Sequence, residues 1–103
     1  MSEKQLQRDV EALCRRYDVE CHHANDPRWD RRGWPDVALL GTRAAAFREL
    51  KTATGSLSAE QRETGRRMRA AGLDWDLWKP RDYQSGRIEA EIAALSGRKP
   101  WNS

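Results

Sequence analysis

Two cysteines, two histidines, four prolines and one phenylalanine in 103 residues leave little material for several common chemistries. Cys14 and Cys21 do not make the disulfide framework of a small secreted domain. Neither a C-x-x-C nor an H-x-x-x-H pair occurs, and the adjacent His22 and His23 point to opposite faces of a strand, so zinc is not expected. No serine stands in a nucleophile-elbow context, which removes a Ser/His/Asp hydrolase. No apolar run is long enough to span a bilayer, and nothing at the start reads as a signal peptide. Repeats, linkers and low-complexity tracts are missing too. The expectation is one soluble domain, residues 1–103, in a reducing cytoplasm.

Charge is what the chain has in quantity. Charged residues make up 34% against 38% hydrophobic, and mean hydropathy is −0.97, yet five tryptophans and several apolar runs supply a core. A chain of this size buries roughly 60–65% of its unfolded surface, enough for one core without surplus, and a partner subunit would add to it. Formal net charge is +3 and the isoelectric point about 9.2, a balance that suits a polyanionic partner without demanding one.

Leu6, Val10, Leu13 and Tyr17 recur at helical spacing behind a Ser2-x-x-Gln5 capping box, which predicts a helix over residues 2–17. A short strand is expected over 19–24, then a charged loop, "NDPRWDRRG". Residues 37–40 and 45–50 read as two strands around a turn at 41–44. Ser58-x-x-Gln61 opens a second helix that runs to about Ala71 and is stopped by Gly72. The alternation of "LDWDLW" predicts a further strand ended by Pro80, and residues 88–95 a last helix. The order α-β-β-β-α-β-α describes an α/β domain.

The segment "GWPDVALLGTRAAAFRELK", residues 33–51, carries charge at both ends and apolar chain between. A hairpin symmetric about the Thr42–Arg43 bond sets Asp36 opposite Glu49, and strand alternation puts Glu49 and Lys51 on one face with Leu50 on the other. A slip of one residue would carry Asp36 to the opposite face. Apolar residues on both faces of the hairpin ask for helices on both sides. Two adjacent carboxylates repel unless a cation or a shared proton compensates. Mg²⁺ suits the place, because it takes oxygen ligands from one or two carboxylates, with the Leu50 backbone carbonyl, waters and a substrate phosphate as further candidates. Lys51 then holds the attacking water or stabilises charge developing on phosphate. The chemistry suggested is metal-assisted phosphodiester hydrolysis. A plainer reading is a salt bridge of Lys51 with Asp36 or Glu49 at a hairpin end.

These residues resemble the PD-(D/E)XK nuclease superfamily and, within it, the virus-type replication-repair nuclease (VRR-NUC) family. The matching pieces are "SEKQLQ" near the start, "GWPD" at 33–36, "ELK" at 49–51 and "LSAEQ" at 57–61, in order and spanning Glu3 to about Trp78. The resemblance implies a minimal restriction-endonuclease-like core, a central mixed sheet flanked by helices, with Mg²⁺- or Mn²⁺-dependent nuclease activity in a bacterial or phage-infected cell. It implies Asp36 and Glu49 as metal ligands, Lys51 as the residue that positions water, Glu3 as the acidic residue of the first helix and a further candidate ligand, and Gln61 as a site residue. From the residues alone, Glu3 equally suits the dipole of its own first turn, and Gln61 the return half of the Ser58 cap. Small standalone members of the family resemble Holliday-junction resolvases that act as homodimers. The resulting expectation is a structure-selective, homodimeric endonuclease on branched DNA. The alternatives are a noncatalytic nucleic-acid-binding subunit, or a flap or duplex nuclease that requires a partner.

Arg28, Arg31 and Arg32, just ahead of "GWPD", are the expected DNA contacts. Arg62, Arg66 and Arg69 form a stripe on the second helix that suits phosphate contact or, equally, a solvated face offset by Glu60 and Glu63. Trp34 either packs beneath the site or meets nucleic acid.

Overall fold

In the computed structural model, which describes residues 1–24 and 32–98, the Ser2 hydroxyl accepts the Gln5 N–H at 3.0 Å and starts helix α1, Glu3–Arg16. The reciprocal half of the expected capping box does not form, because Gln5 Nε2 donates to Asp9 Oδ1 one turn further on. Beyond the helix Asp18 takes a left-handed φ of 57°, and the Val19 N–H returns to the Cys14 carbonyl at 2.8 Å. That reversal feeds strand β1, Glu20–His23.

Strands β2, Val37–Leu40, and β3, Ala45–Leu50, form the expected antiparallel hairpin, in the register Val37 to Arg48 through Leu40 to Ala45. The Gly41 N–H closes the turn on the Ala44 carbonyl at 2.9 Å. β1 pairs antiparallel with the outer edge of β2. Helix α2, Ala59–Ala70, then crosses to strand β4, Trp75–Trp78, which lies parallel to β3. The four strands make a mixed sheet in the order β1-β2-β3-β4.

After β4 the chain forms two helices where one was expected. Pro80 ends the strand as anticipated, but it also occupies the first position of α3, Pro80–Gln84, where its missing N–H costs nothing. Asp82 accepts the Lys79 N–H at 2.8 Å and caps that turn. A five-residue helix has no apolar period to read, so "PRDYQ" gave no helical signal. Helix α4, Arg87–Ser96, follows the expected last helix closely. The completed order is α-β-β-β-α-β-α-α.

Alternation along the strands sends Val37, Leu39, Ala46, Leu50 and Trp78 to one face, where Leu6, Val10 and Leu13 of α1 and Ile88, Ile92 and Leu95 of α4 complete the main core. Arg48 stands among these apolar side chains, only 3% exposed; its Nη atoms donate to the Phe47 and Asp74 carbonyls and to Glu91 Oε1, while Nε is buried without a partner. It also lies over the Trp78 ring at 5.0 Å. At the hairpin tip the Arg43 and Ala44 N–H groups both donate to the Leu95 carbonyl, at 2.9 and 3.2 Å.

The opposite sheet face is covered by α2, as the two-sided hairpin requires. Gly65 makes the close approach possible: a Cβ there would stand 2.5 Å from the Trp75 ring, which is itself 7% exposed. Helix propensity alone favours alanine over glycine by about 1 kcal/mol. Overlap with a buried indole outweighs that gain, so Gly65→Ala is expected to lower the melting temperature by roughly 5 °C or more in a thermal denaturation scan. An unchanged or raised value would mean that α2 does not bear on Trp75 in this way.

Candidate functional site

The site begins with a register. Carried one residue past β2, the pairing sets Asp36 against Glu49, as the hairpin reasoning requires. The Leu50 N–H donates to Asp36 Oδ2 at 2.8 Å, so the aspartate is clasped by the residue between Glu49 and Lys51. On its other side the Ala24 N–H holds the Asp36 carbonyl at 3.1 Å. One step further the register places Pro35 opposite Leu50. Proline has no N–H to give, so the ladder offers the Leu50 carbonyl no donor from that side.

Two contacts fix this end of the hairpin beneath α2. Gly33 adopts a φ of 87°, and a Cβ on it would lie 2.6 Å from the Glu60 carbonyl oxygen, so glycine serves both the turn and the approach. Gln61 reconciles its two readings. Its Oε1 accepts the Ser58 N–H at 2.9 Å while its own N–H bonds Ser58 Oγ at 3.1 Å, completing a capping box, and its Nε2 donates to Glu49 Oε1 at 3.3 Å.

Glu49 is 0% exposed, and its second oxygen, Oε2, is buried without a hydrogen-bond partner. Burial, followed by the charge of the adjacent Asp36 carboxylate, pushes its carboxyl up to about 8, with Lys51 pulling the other way. Glu3, in the first turn of α1, has its pKa raised first by burial and then by Asp36, again opposed by Lys51. The residues predicted from three separate segments therefore share one electrostatic neighbourhood. No ion pair among the described residues engages Lys51, which leaves the plain salt-bridge reading without support.

Comparison with known proteins adds nothing to set beside this geometry. No family model, curated protein or solved structure matches the chain. The weight falls on the residues themselves.

Among the described residues no group of three or more His, Cys, Asp or Glu side chains forms a ready cage for a metal ion. What the site offers is two apposed carboxylates, one with a buried partnerless oxygen, and, by extension of the register to Pro35, a main-chain carbonyl to which proline gives no ladder donor. That all-oxygen set fits a hard divalent cation that keeps several waters, the usual habit of Mg²⁺, better than it fits zinc.

The basic candidates fare unevenly. Arg28 and Arg31 lie outside the described residues. Arg32 is highly exposed, with Nε 3.6 Å from Glu60 Oε1. Arg66 grips Glu63 through Nε and Nη2 at 2.9 and 2.7 Å, Arg67 adds a third bond at 3.1 Å, and these hold the Glu63 carboxyl down at about 2. Arg69 donates to the Trp75 carbonyl and lies over its ring. Arg62 is exposed and engaged in no ion pair among the described residues. Much of the stripe is thus a self-paired, solvated helix face. Trp34 packs edge-on against Phe47 with ring centroids 6.4 Å apart, yet stays 42% exposed beside a cavity of about 220 Å³ bordered by Met68 and Leu73.

The Leu50 clasp on Asp36 escaped the sequence, whereas the double engagement of Gln61 is the case in which both of its sequence readings hold together.

The raised Glu49 pKa has a defined consequence for stability. Without a divalent cation the native state holds a proton that the unfolded chain releases near 4.5, so stability falls as pH rises from there to about 8 and levels off above. In EDTA, the melting temperature is expected to decline from pH 5 to 8, and Glu49→Gln to flatten that decline. A wild-type profile as flat as the variant's would mean that Glu49 is ionised throughout.

Proposed function

We propose that the chain is a divalent-metal-dependent endonuclease that hydrolyses DNA phosphodiester bonds, using Mg²⁺ or Mn²⁺, on the PD-(D/E)XK plan of the VRR-NUC family. The observation that carries this reading is the buried, partnerless Oε2 of Glu49 beside the Asp36 carboxylate. An oxygen in that state is costly to keep unless something with positive charge completes it.

Asp36, Glu49 and the Leu50 carbonyl are the groups that would hold the cation, with Glu3 adding negative charge nearby. When bound, such a cation supplies Lewis-acid polarisation of the phosphate and a more acidic water. The chain's own residues do the positioning. Leu50 N–H aims Asp36, and Gln61 Nε2 aims Glu49. Lys51, on the same strand face as Glu49, holds the attacking water and offsets the charge that develops on phosphate as the P–O bond breaks. Arg32 and Arg62 are the described arginines best placed to meet the DNA backbone, since neither is gripped as Arg66 is. A single small domain has one such centre, so paired cuts on a branched substrate call for a homodimer.

A panel of labelled linear, flap and four-way-junction DNAs, incubated with Mg²⁺ or Mn²⁺, tests the proposal. Symmetric paired nicks on the junction are expected. Asp36→Ala and Lys51→Ala should each lower the rate by about 100-fold or more while leaving the far-UV circular dichroism native. Undiminished cleavage by both variants, or no cleavage of any substrate by the wild type, would sink the assignment.

A further inference from the structure

Away from the acidic site, a second group of reactive side chains gathers where α1 packs on β1. The reversal at Asp18 brings Cys14, in the last turn of α1, alongside Cys21 of the edge strand. Cys21 pairs with Leu39 and His23 with Val37, both core-facing positions, so Cys21 and His23 project toward α1. Together with Glu11, Arg15 and Val19 they and Cys14 line a cavity of about 210 Å³. Both thiols are free; Cys14 is 1% exposed and Cys21 half-buried. His23 Nε2 sits 3.8 Å from Cys21 Sγ and 2.8 Å from Glu11 Oε1.

The two thiols differ in a useful way. The neighbouring Cys21 thiol, with burial next in importance, raises the pKa of Cys14, and the neighbouring Cys14 lowers that of Cys21. Cys21 is also the more accessible sulfur, so an incoming disulfide meets it first, and the buried Cys14 waits behind it. The spacing of seven residues hid this from the sequence, because only the turn and the strand register bring the two together.

We propose that Cys21 and Cys14 form a thiol–disulfide exchange site for low-molecular-weight disulfides, with Cys21 attacking and Cys14 resolving. In the first step the Cys21 thiolate forms a bond to one sulfur of the disulfide, whose S–S bond breaks and releases one thiolate. In the second, Cys14 sulfur bonds to Cys21 sulfur and displaces the other thiolate. The two protons of the protein thiols end on the two released thiols, and the chain is oxidised by two electrons as the small disulfide is reduced. Arg15 presents a cation at the cavity to an anionic disulfide, and Glu11 is held by His23. The inference is independent of the nuclease reading.

Incubation of the reduced full chain with oxidised glutathione, followed by intact mass and a non-reducing peptide map, tests it. Wild type is expected to lose two hydrogens and gain a single link between Cys14 and Cys21, with the glutathionyl adduct only transient. Cys14→Ser should stall with one glutathionyl group attached, and Cys21→Ser should react about tenfold more slowly. Melting curves accompany each variant, and Cys14→Ala replaces the serine variant if that one does not fold. A wild type that keeps both thiols, or that accumulates a stable glutathionyl adduct, overturns the proposal, as does a folded Cys21→Ser that reacts at the wild-type rate.

Discussion

The carboxylate end of the molecule depends on the register of one hairpin, and that register is held from its far end. The Leu95 carbonyl at the close of α4 takes two N–H groups from the turn, while α4 itself is buried against the strands it steadies. A shift of one residue in β2 against β3 would have to break those bonds, turn Val37 and Leu39 out of the core, and part Asp36 from Glu49. Core packing and site geometry are thus not separate achievements of the fold. The same alternation that buries the leucines sets the two acids side by side.

Like charges brought together in this way are a local fault in stability, and the surrounding chain contains it. Gln61 and the Leu50 N–H satisfy one oxygen of each acid, and Lys51 and the burial of Glu49 set the electrostatic balance. On the opposite sheet face a different solution appears: Arg48 is buried beside its acid partner Glu91, and the Phe47 and Asp74 carbonyls accept from Nη1. The contrast is informative. Each keeps one unpartnered atom, but Arg48 has an acid beside it whereas Glu49 has a second acid beside it, and an open valence of that kind suits a place where a cationic ligand completes it.

Much of this was legible in the sequence because periodicity and capping carry it. The alternation around Gly41 gave the hairpin and its register, Ser58 and Gln61 gave the start of α2, and the spacing of Leu6, Val10 and Leu13 gave α1. Where the reading fell short, the physical cause was local competition or distance. Gln5 found Asp9 rather than the Ser2 backbone. Pro80 began a helix as well as ending a strand, in a stretch too short to show a period. The pairing of Arg66 with Glu63 and the approach of Cys14 to Cys21 are decided by side-chain reach and by the packing of α1 on β1, neither of which a linear pattern encodes.

Gln61 has one further implication. Its carbonyl oxygen ties the first turn of α2 to Ser58, and its amide nitrogen ties that turn to Glu49. Fraying of the helix start and release of the acid are therefore a single opening event, so the amide-exchange protection of residues 58–62 becomes a gauge of whatever occupies the space beside Glu49.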